Sequence, residues 1–325
     1  MVFRDVATYV KVCDPCQRTG RPIASTRWPL TPILPLAPFE KWGIDFVGPI
    51  APSTQRQKRY ILVATDYFTG MLEAEAMRRD DATTVAAFLF EKIVCRYGVP
   101  LELVSDRGTH FVNELIEEMV VQYGIKHWKM TSYNPKANGL TKKSNVILCK
   151  VLKKVTQAFV HDWHLKLPGV LFAFRTAQKT TTRCMPYYLC HGMEAIMPVE
   201  LEVPTLWVQE EKRLRVLESV PDQKVELLRL HEEQERVLKQ VIQLQGKRKE
   251  HYDKKLKKRV DLKAGDLALL YDSRKEHFPG KMSLNWQGPY KVLEVFANGS
   301  VQLATMNDEK LETRVNGHRV KKYIT

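Results

Sequence analysis

Several kinds of feature are missing from the sequence, and each absence removes a class of protein. No apolar run approaches the roughly 20 residues of a membrane helix, and no charged-then-apolar leader opens the chain. Neither a membrane-spanning nor a secreted protein is therefore expected. No segment repeats with the period of about 20–50 residues that marks a solenoid. Cysteine is sparse: the six residues at 13, 16, 95, 149, 184 and 190 form no disulfide framework, which favours a reducing, intracellular setting. Histidine is absent before His110, so the Cys13-x-x-Cys16 pair has no His-x-x-x-His ahead of it. A structural zinc site needs four ligands, and this end of the chain supplies two. Zinc is not expected to be held there, and two unpaired thiols are the plainer reading.

The charge balance is the first positive signal. Among 325 residues, 51 Lys and Arg face 37 Asp and Glu, a formal net charge of +14. An excess of that size points to a polyanionic partner, DNA or RNA, against the blander alternative of a basic protein with no such partner. The length allows two or three domains, and 44% hydrophobic with 27% charged residues is ordinary for a globular chain.

Composition divides the chain into four segments. Residues 1–38 are turn-rich and end in Pro29, Pro32, Pro35 and Pro38, which reads as an extended linker. Residues 39–207 carry three β-rich runs (Gly43 to Val47, Arg59 to Asp66, Met71 to Met77). Helices and strands then alternate: a helix opening at Asp81, a strand from Leu101 to Ser105, a helix from Val112 to Tyr123, a strand from Lys126 to Met130, and a basic helix from Gly139 to about Gln157. That order describes an α/β domain with a mixed sheet. Residues 208–258 place Val225, Leu228, Val237, Leu238, Val241 and Leu244 on helical spacing, a helical connector with a basic end. Residues 259–325 are short β runs with glycine turns, including Asn298-Gly299 at a hairpin position, which suggests a small all-β barrel.

Two aspartates, Asp45 and Asp106, stand at the ends of expected strands of one sheet. Carboxylates so placed suit a hard divalent ion such as Mg²⁺ or Mn²⁺, although surface or capping roles explain two aspartates equally well. Their surroundings change the weighting. Gly43-Ile44-Asp45-Phe46-Val47-Gly48-Pro49, Thr65-Asp66-Tyr67-Phe68-Thr69, Ser105-Asp106-Arg107-Gly108-Thr109-His110-Phe111 and Tyr133-Asn134-Pro135-Lys136-Ala137-Asn138-Gly139 follow one another in order. Together they resemble the integrase of Ty3/gypsy-type long-terminal-repeat retrotransposons, a relative of retroviral integrase. Cys13-Asp14-Pro15-Cys16 looks like the second half of that family's zinc module. Met185-Pro186-Tyr187 through Glu194, Pro198 and Glu200 looks like the stretch after its core. Gly265-Asp266-Leu267, Trp286 to Tyr290 and Asn298-Gly299 look like its SH3-like (chromo-like) C-terminal barrel.

The resemblance implies a ribonuclease-H-like core with an Asp, Asp, Glu triad that binds Mg²⁺ or Mn²⁺ and integrates DNA by strand transfer. It also implies a DNA partner and a homo-oligomer. The first two members fall on Asp45 and Asp106. The third falls on Lys142, and no carboxylate lies between Glu118 and Asp162 to replace it. An ammonium about 5 Å from a divalent ion at an effective dielectric near 20 repels it by about 6 kcal/mol, so metal binding is expected to be weak and catalysis defective. The leading expectation is a catalytically disabled, nucleic-acid-binding integrase relative. Lys142, Lys143, Lys150, Lys153 and Lys154 would make its contacts, with Lys247, Arg248, Lys254, Lys255, Lys257, Lys258 and Arg259 in the basic tract. That tract also reads as a nuclear localisation signal, or as a solvated helix face. An active integrase or nuclease and an oligomeric scaffold are the alternatives.

Overall fold

The computed structural model describes residues 2–19, 32–130, 139–156, 160–196, 221–254, 262–272, 285–296 and 299–324. The motif at 133–138 lies outside them, as do Lys255, Lys257, Lys258, Arg259, residues 208–220 and Asn298. Packing divides the chain into two compact units. One comprises Leu34–Met130 and Asn138–Gln245, the other Met1–Ile33, Thr131–Ala137 and Gly246–Thr325.

The larger unit is built on a mixed five-stranded sheet of β1 (Lys41–Val47), β2 (Tyr60–Asp66), β3 (Leu72–Met77), β4 (Glu102–Ser105) and β5 (Lys126–Lys129), in the order β3-β2-β1-β4-β5. β1–β2 and β2–β3 are antiparallel, while β1–β4 and β4–β5 are parallel. β2 shows why the sheet is covered on both faces. Its residues alternate between two apolar cores, as the period of two along a strand demands. Leu62 and Ala64 pack with Trp42, Ile44, Val85, Phe88, Leu103, Phe111 and Ile116. Ile61 and Val63 pack with Leu72, Leu148, Leu152, Trp163, Leu167 and Phe174 on the other side.

The first helical layer consists of α3 (Ala82–Phe88), a π-helical stretch (Leu89–Val94), α4 (Cys95–Tyr97) and α5 (Glu114–Gln122); the second is α6 (Gly139–Val155) and α7 (Trp163–Thr176). Both α3 and α5 start at side-chain caps. Asp81 accepts from Thr84 N at 2.9 Å and Asn113 from Ile116 N at 3.0 Å, each satisfying a donor that the first helical turn leaves over. The expected single helix from Asp81 contains the π-helical stretch, whose Leu89 and Ile93 keep to the core.

Beyond α8 (Pro186–His191), the long helix α9 (Pro221–Lys254) does not stand away from the core. Val237 and Val241 bury against Phe68 and Leu189. The Gln234 and Gln240 amides donate to the carbonyls of Leu189 and Thr181, at 2.9 and 2.8 Å. A buried carboxylate ties the unit together across the sheet: Glu73 on β3 receives Arg96, Arg175 and the Tyr97 hydroxyl.

In the other unit β6 (Leu267–Tyr271), β7 (Trp286–Val295), β8 (Ser300–Ala304), β9 (Val315–Asn316) and β10 (Val320–Lys322) form an antiparallel sheet in the order β10-β6-β7-β8-β9. Val292, Val301, Leu303 and Val320 make its core. The N-terminal segment departs from the sequence expectation of a loose, extended stretch. Val2–Val12 is helix α1 and Asp14–Thr19 is helix α2. The physical reason is a surface that the local sequence does not reveal. Gln17 exchanges two hydrogen bonds with Ile324, at 2.8 and 3.0 Å, and Asn285 donates to Arg18 O and Thr19 O, at 3.0 and 2.9 Å. The Asn285 bonds satisfy carbonyls at the end of α2 that the helix itself leaves without partners.

Candidate functional site

Strand alternation decides where the two aspartates point. Trp42 and Ile44 of β1 belong to the α3–α5 core and Val47 packs on the α6–α7 core, so Asp45 faces α6. Leu103 of β4 also belongs to the α3–α5 core, which puts Asp106 on the α6 face as well. The β1–β4 ladder pairs Lys41 with Glu102, Trp42 with Leu103 and Gly43 with Val104; continued by two residues, that register sets Asp45 opposite Asp106. Both carboxylates thus emerge at the carboxyl ends of neighbouring parallel strands, the usual place for a site in such sheets.

The electrostatics agree with that placement. Burial and the Asp106 charge push the Asp45 carboxyl up to about 6, while the nearby Lys142 ammonium and the Asn145 amide oppose the rise. Asn145 Nδ2 donates to Asp45 Oδ2 at 3.0 Å. Lys142 and Asn145 are three residues apart on α6 and so share a helix face. Asp106 is fixed locally, its Oδ1 accepting from Gly108 N at 2.8 Å. The structure brings Asp45, Asp106 and Lys142 near one another. Sequence reasoning missed Asn145, whose one available signal was its i+3 position after Lys142.

A divalent ion can be tested against the donors present. Two carboxylates neighbour each other, and Asn145, whose Nδ2 donates to Asp45, has a buried Oδ1 with no hydrogen-bond partner. An orphaned acceptor beside two carboxylates fits a hard cation or its bound water. Opposing them is one ammonium, and among the described residues no three His, Cys, Asp or Glu side chains come together. The donor set fits one weakly held Mg²⁺ or Mn²⁺. At the other end the Cys16 thiol is pushed up by its hydrogen bond with Cys13, and no third ligand joins the pair among the described residues.

Residues 35–135 match the family model described as the integrase core domain. That stretch of the chain is similar to integrase core domains. A second match, at residues 262–323, is to a domain of unknown function, DUF8803. The chain is 25% identical over 289 residues to the retrovirus-related Pol polyprotein from transposon 412 of Drosophila melanogaster, covering 88% of this chain and 22% of that protein. It is 35% identical over 140 residues to the Gag-Pol polyprotein of feline leukemia virus, covering 42% of this chain and 8% of that one. The chain thus spans about 8–22% of the length of these curated relatives. Its fold is shared with a chain in the structure of the simian T-cell lymphotropic virus intasome in complex with PP2A regulatory subunit B56 gamma. That likeness has a TM-score of 0.60 at 15% identity and covers 99% of this chain and 91% of that chain.

Basic residues of two helices face outward. Lys142, Lys143, Lys150, Lys153 and Lys154 of α6 are all exposed. On α9, Lys247, Arg248 and Lys254 are exposed, and Lys249 pairs with Asp253 at 3.0 Å. In the C-terminal sheet several basic groups already have partners: Lys291 with Asp308 and Lys322 with Asp266, both at 2.7 Å, and Arg319 with the Tyr271 carbonyl. No helix among the described residues is long and apolar enough to cross a membrane.

Proposed function

We propose that the chain is a nucleic-acid-binding relative of Ty3/gypsy-type retrotransposon integrases whose catalytic site has lost its third carboxylate to Lys142. The observation that carries this reading is the ammonium of Lys142 acting on Asp45 in the place where a third acidic ligand would complete the site. On this reading residues 39–207 form a ribonuclease-H-like core, residues 208–258 the connector and residues 259–325 an SH3-like barrel, with residues 1–38 the remnant of a zinc module. The register shifts at Ala268/Leu270 and Val292/Glu294 support the barrel, because bulges of that kind bend a sheet.

When bound, Mg²⁺ or Mn²⁺ supplies charge for a phosphoryl oxygen and an acidified water. Asp45, Asp106 and Asn145 Oδ1 would hold it. Asn145 anchors Asp45 from α6, and Gly108 anchors Asp106 within its own loop. Lys142 offers a cation that needs no solution ion, and in that role it attracts a phosphate rather than activating one. The exposed lysines of α6 continue the attraction along the helix, and nuclear residence follows from the basic tract at 247–259.

A second reading, assembly into a homo-oligomer, is favoured by Val225, Leu227 and Leu228 of α9, which are 44%, 57% and 63% exposed on a helix otherwise buried at Val237. Titration of the full chain with duplex DNA at several salt concentrations, alongside an Mn²⁺-dependent cleavage assay, tests the proposal. Salt-sensitive binding without cleavage is expected. Cleavage that Asp45→Asn abolishes would make the chain an active nuclease instead.

A further inference from the structure

Asp106 is held from two directions, and only one belongs to the site described above. Its carboxylate faces α6. Behind it, on the opposite face of the sheet, a polar chain runs from the edge strand. His127 of β5 pairs in register with Leu103, so it shares the face of Leu103 and Ser105. His127 Nε2 lies 2.8 Å from Ser105 Oγ, and that hydroxyl donates to the Asp106 carbonyl at 2.8 Å. Ser105 is fully buried.

Proton counting fixes the direction of the chain. A serine hydroxyl has one hydrogen, and the Asp106 carbonyl can only accept. Ser105 must therefore give its hydrogen to Asp106 O, and His127 must give Nε2–H to Ser105. The opposite assignment would leave two acceptors facing each other at Asp106 and a buried Nδ1–H with nothing to bond. With Nε2 protonated, Nδ1 is a bare acceptor, and it is buried with no partner. A proton added at Nδ1 would also find no acceptor there. Burial and then the Lys129 charge push the imidazole down to about 4, which keeps the ring neutral and the Nε2–H donor as its single one.

We propose that His127 is a positioning residue for Asp106: it acts through the Ser105 hydroxyl and fixes the strand end from which the Asp106 carboxylate projects. The inference rests on the reading of Asp106 as a metal-binding carboxylate, but its geometry does not. Orientation of a ligand by hydrogen-bonded neighbours commonly changes metal affinity by about 10–100-fold when removed. Nothing in the sequence around His127 announces the role. A lone histidine in Lys126-His127-Trp128-Lys129 reads as one more half-buried side chain on an edge strand.

The test uses the full chain, with ¹⁵N-labelled imidazoles, and two substitutions. His127→Gln keeps an N–H donor at the ε position, and His127→Leu removes it. The native imidazole should show the Nε2–H tautomer. Hydrogen exchange should then report at Gly108, whose amide is bonded to the Asp106 carboxylate. In His127→Leu the Gly108 amide should exchange at least about tenfold faster relative to that of Ile44 in β1, and His127→Gln should restore it to within about twofold. A general loss of stability would move both amides together, so an unchanged ratio overturns the proposal. An Nδ1–H tautomer overturns it as well. Mn²⁺ titration of the Lys142→Glu chain separates the two readings. A Gly108 response in a chain that takes up no Mn²⁺ sustains the relay and removes the metal reading of Asp106.

Discussion

Replacing Lys142 by glutamate should convert a weakly held ion into a more tightly held one, and the size of the change follows from the site. Asp45, Asp106 and Lys142 sum to one negative charge; with glutamate the sum is three. For a divalent ion about 5 Å away, each unit of charge is worth about 1.7 kcal/mol at the dielectric of water and about 7 kcal/mol at an effective value near 20. Lys142 is exposed, so the watery limit is the relevant one. Charge reversal then contributes about 3 kcal/mol, or roughly a hundredfold in Mn²⁺ affinity, and Lys142→Gln about half of that free energy, near tenfold. A third carboxylate also raises the proton affinity of Asp45, already pushed up to about 6, so the titration belongs at pH 8. Calorimetry or the electron paramagnetic resonance of free Mn²⁺ reads the affinity, and strand transfer on a model element end reads its consequence. Equal affinities for the native, Gln and Glu chains would refute the electrostatic account of the site.

Three other outcomes are expected. Glu73→Gln leaves Arg96 and Arg175 facing a neutral amide, and removal of one partner from a buried ion cluster costs about 3–5 kcal/mol, measurable as a lower denaturant midpoint at unchanged slope. Asp66 is fully buried and its carboxyl is pushed up to about 6 by that burial, against hydrogen bonds from Thr69 and Phe39. Its folded value exceeds the unfolded one, so its contribution is present in full below about pH 4 and is lost as pH rises through 6. Asp66→Asn should flatten the pH dependence of unfolding between those limits, and an unchanged profile would contradict the assignment. For the full chain on duplex DNA, five or six phosphate contacts give a slope of log affinity on log salt near −5, and changing Lys143, Lys150 and Lys153 together to Gln should reduce its size by roughly three. A slope that ignores those three lysines would move the binding surface off α6.

Much of the core was legible because its strands are nearly pure apolar text. The Tyr60 to Asp66 run packs on both faces and reads as a buried strand whatever its partners. Asp45 and Asp106 were legible from their motifs, and Lys142 only through the family resemblance. The π-helical stretch at Leu89–Val94 was not, because one extra residue in a turn leaves the apolar spacing nearly intact. Helix α9 showed in the spacing of Val237, Leu238 and Val241, but the surface it covers is made by Phe68 and Leu189, far off in the sequence. Helices α1 and α2 were lost to the prolines that follow them and to a supporting sheet some 270 residues away, between residues 19 and 285. Asn145 and His127 escaped for a simpler reason. Each is one polar residue in an ordinary segment, and its meaning depends on which atom it meets.

The bonds between α2 and the C-terminal sheet also set an order of events during synthesis. Asn285 and Ile324 lie 266 and 307 residues beyond their partners Thr19 and Gln17. Closing a span of that size costs only about 3 kcal/mol more than closing a ten-residue loop, so distance along the chain does not prevent the contact. It does delay it. At about 5–20 residues per second, translation needs about 15–60 s to pass from one partner to the other. Throughout that interval the last carbonyls of α2 and the Gln17 amide have only water or another molecule to bind, while residues 34–130 and 138–245 are free to complete their own unit. A ribosome halted short of residue 285 therefore displays a helix end whose partners in its own chain have not yet been made.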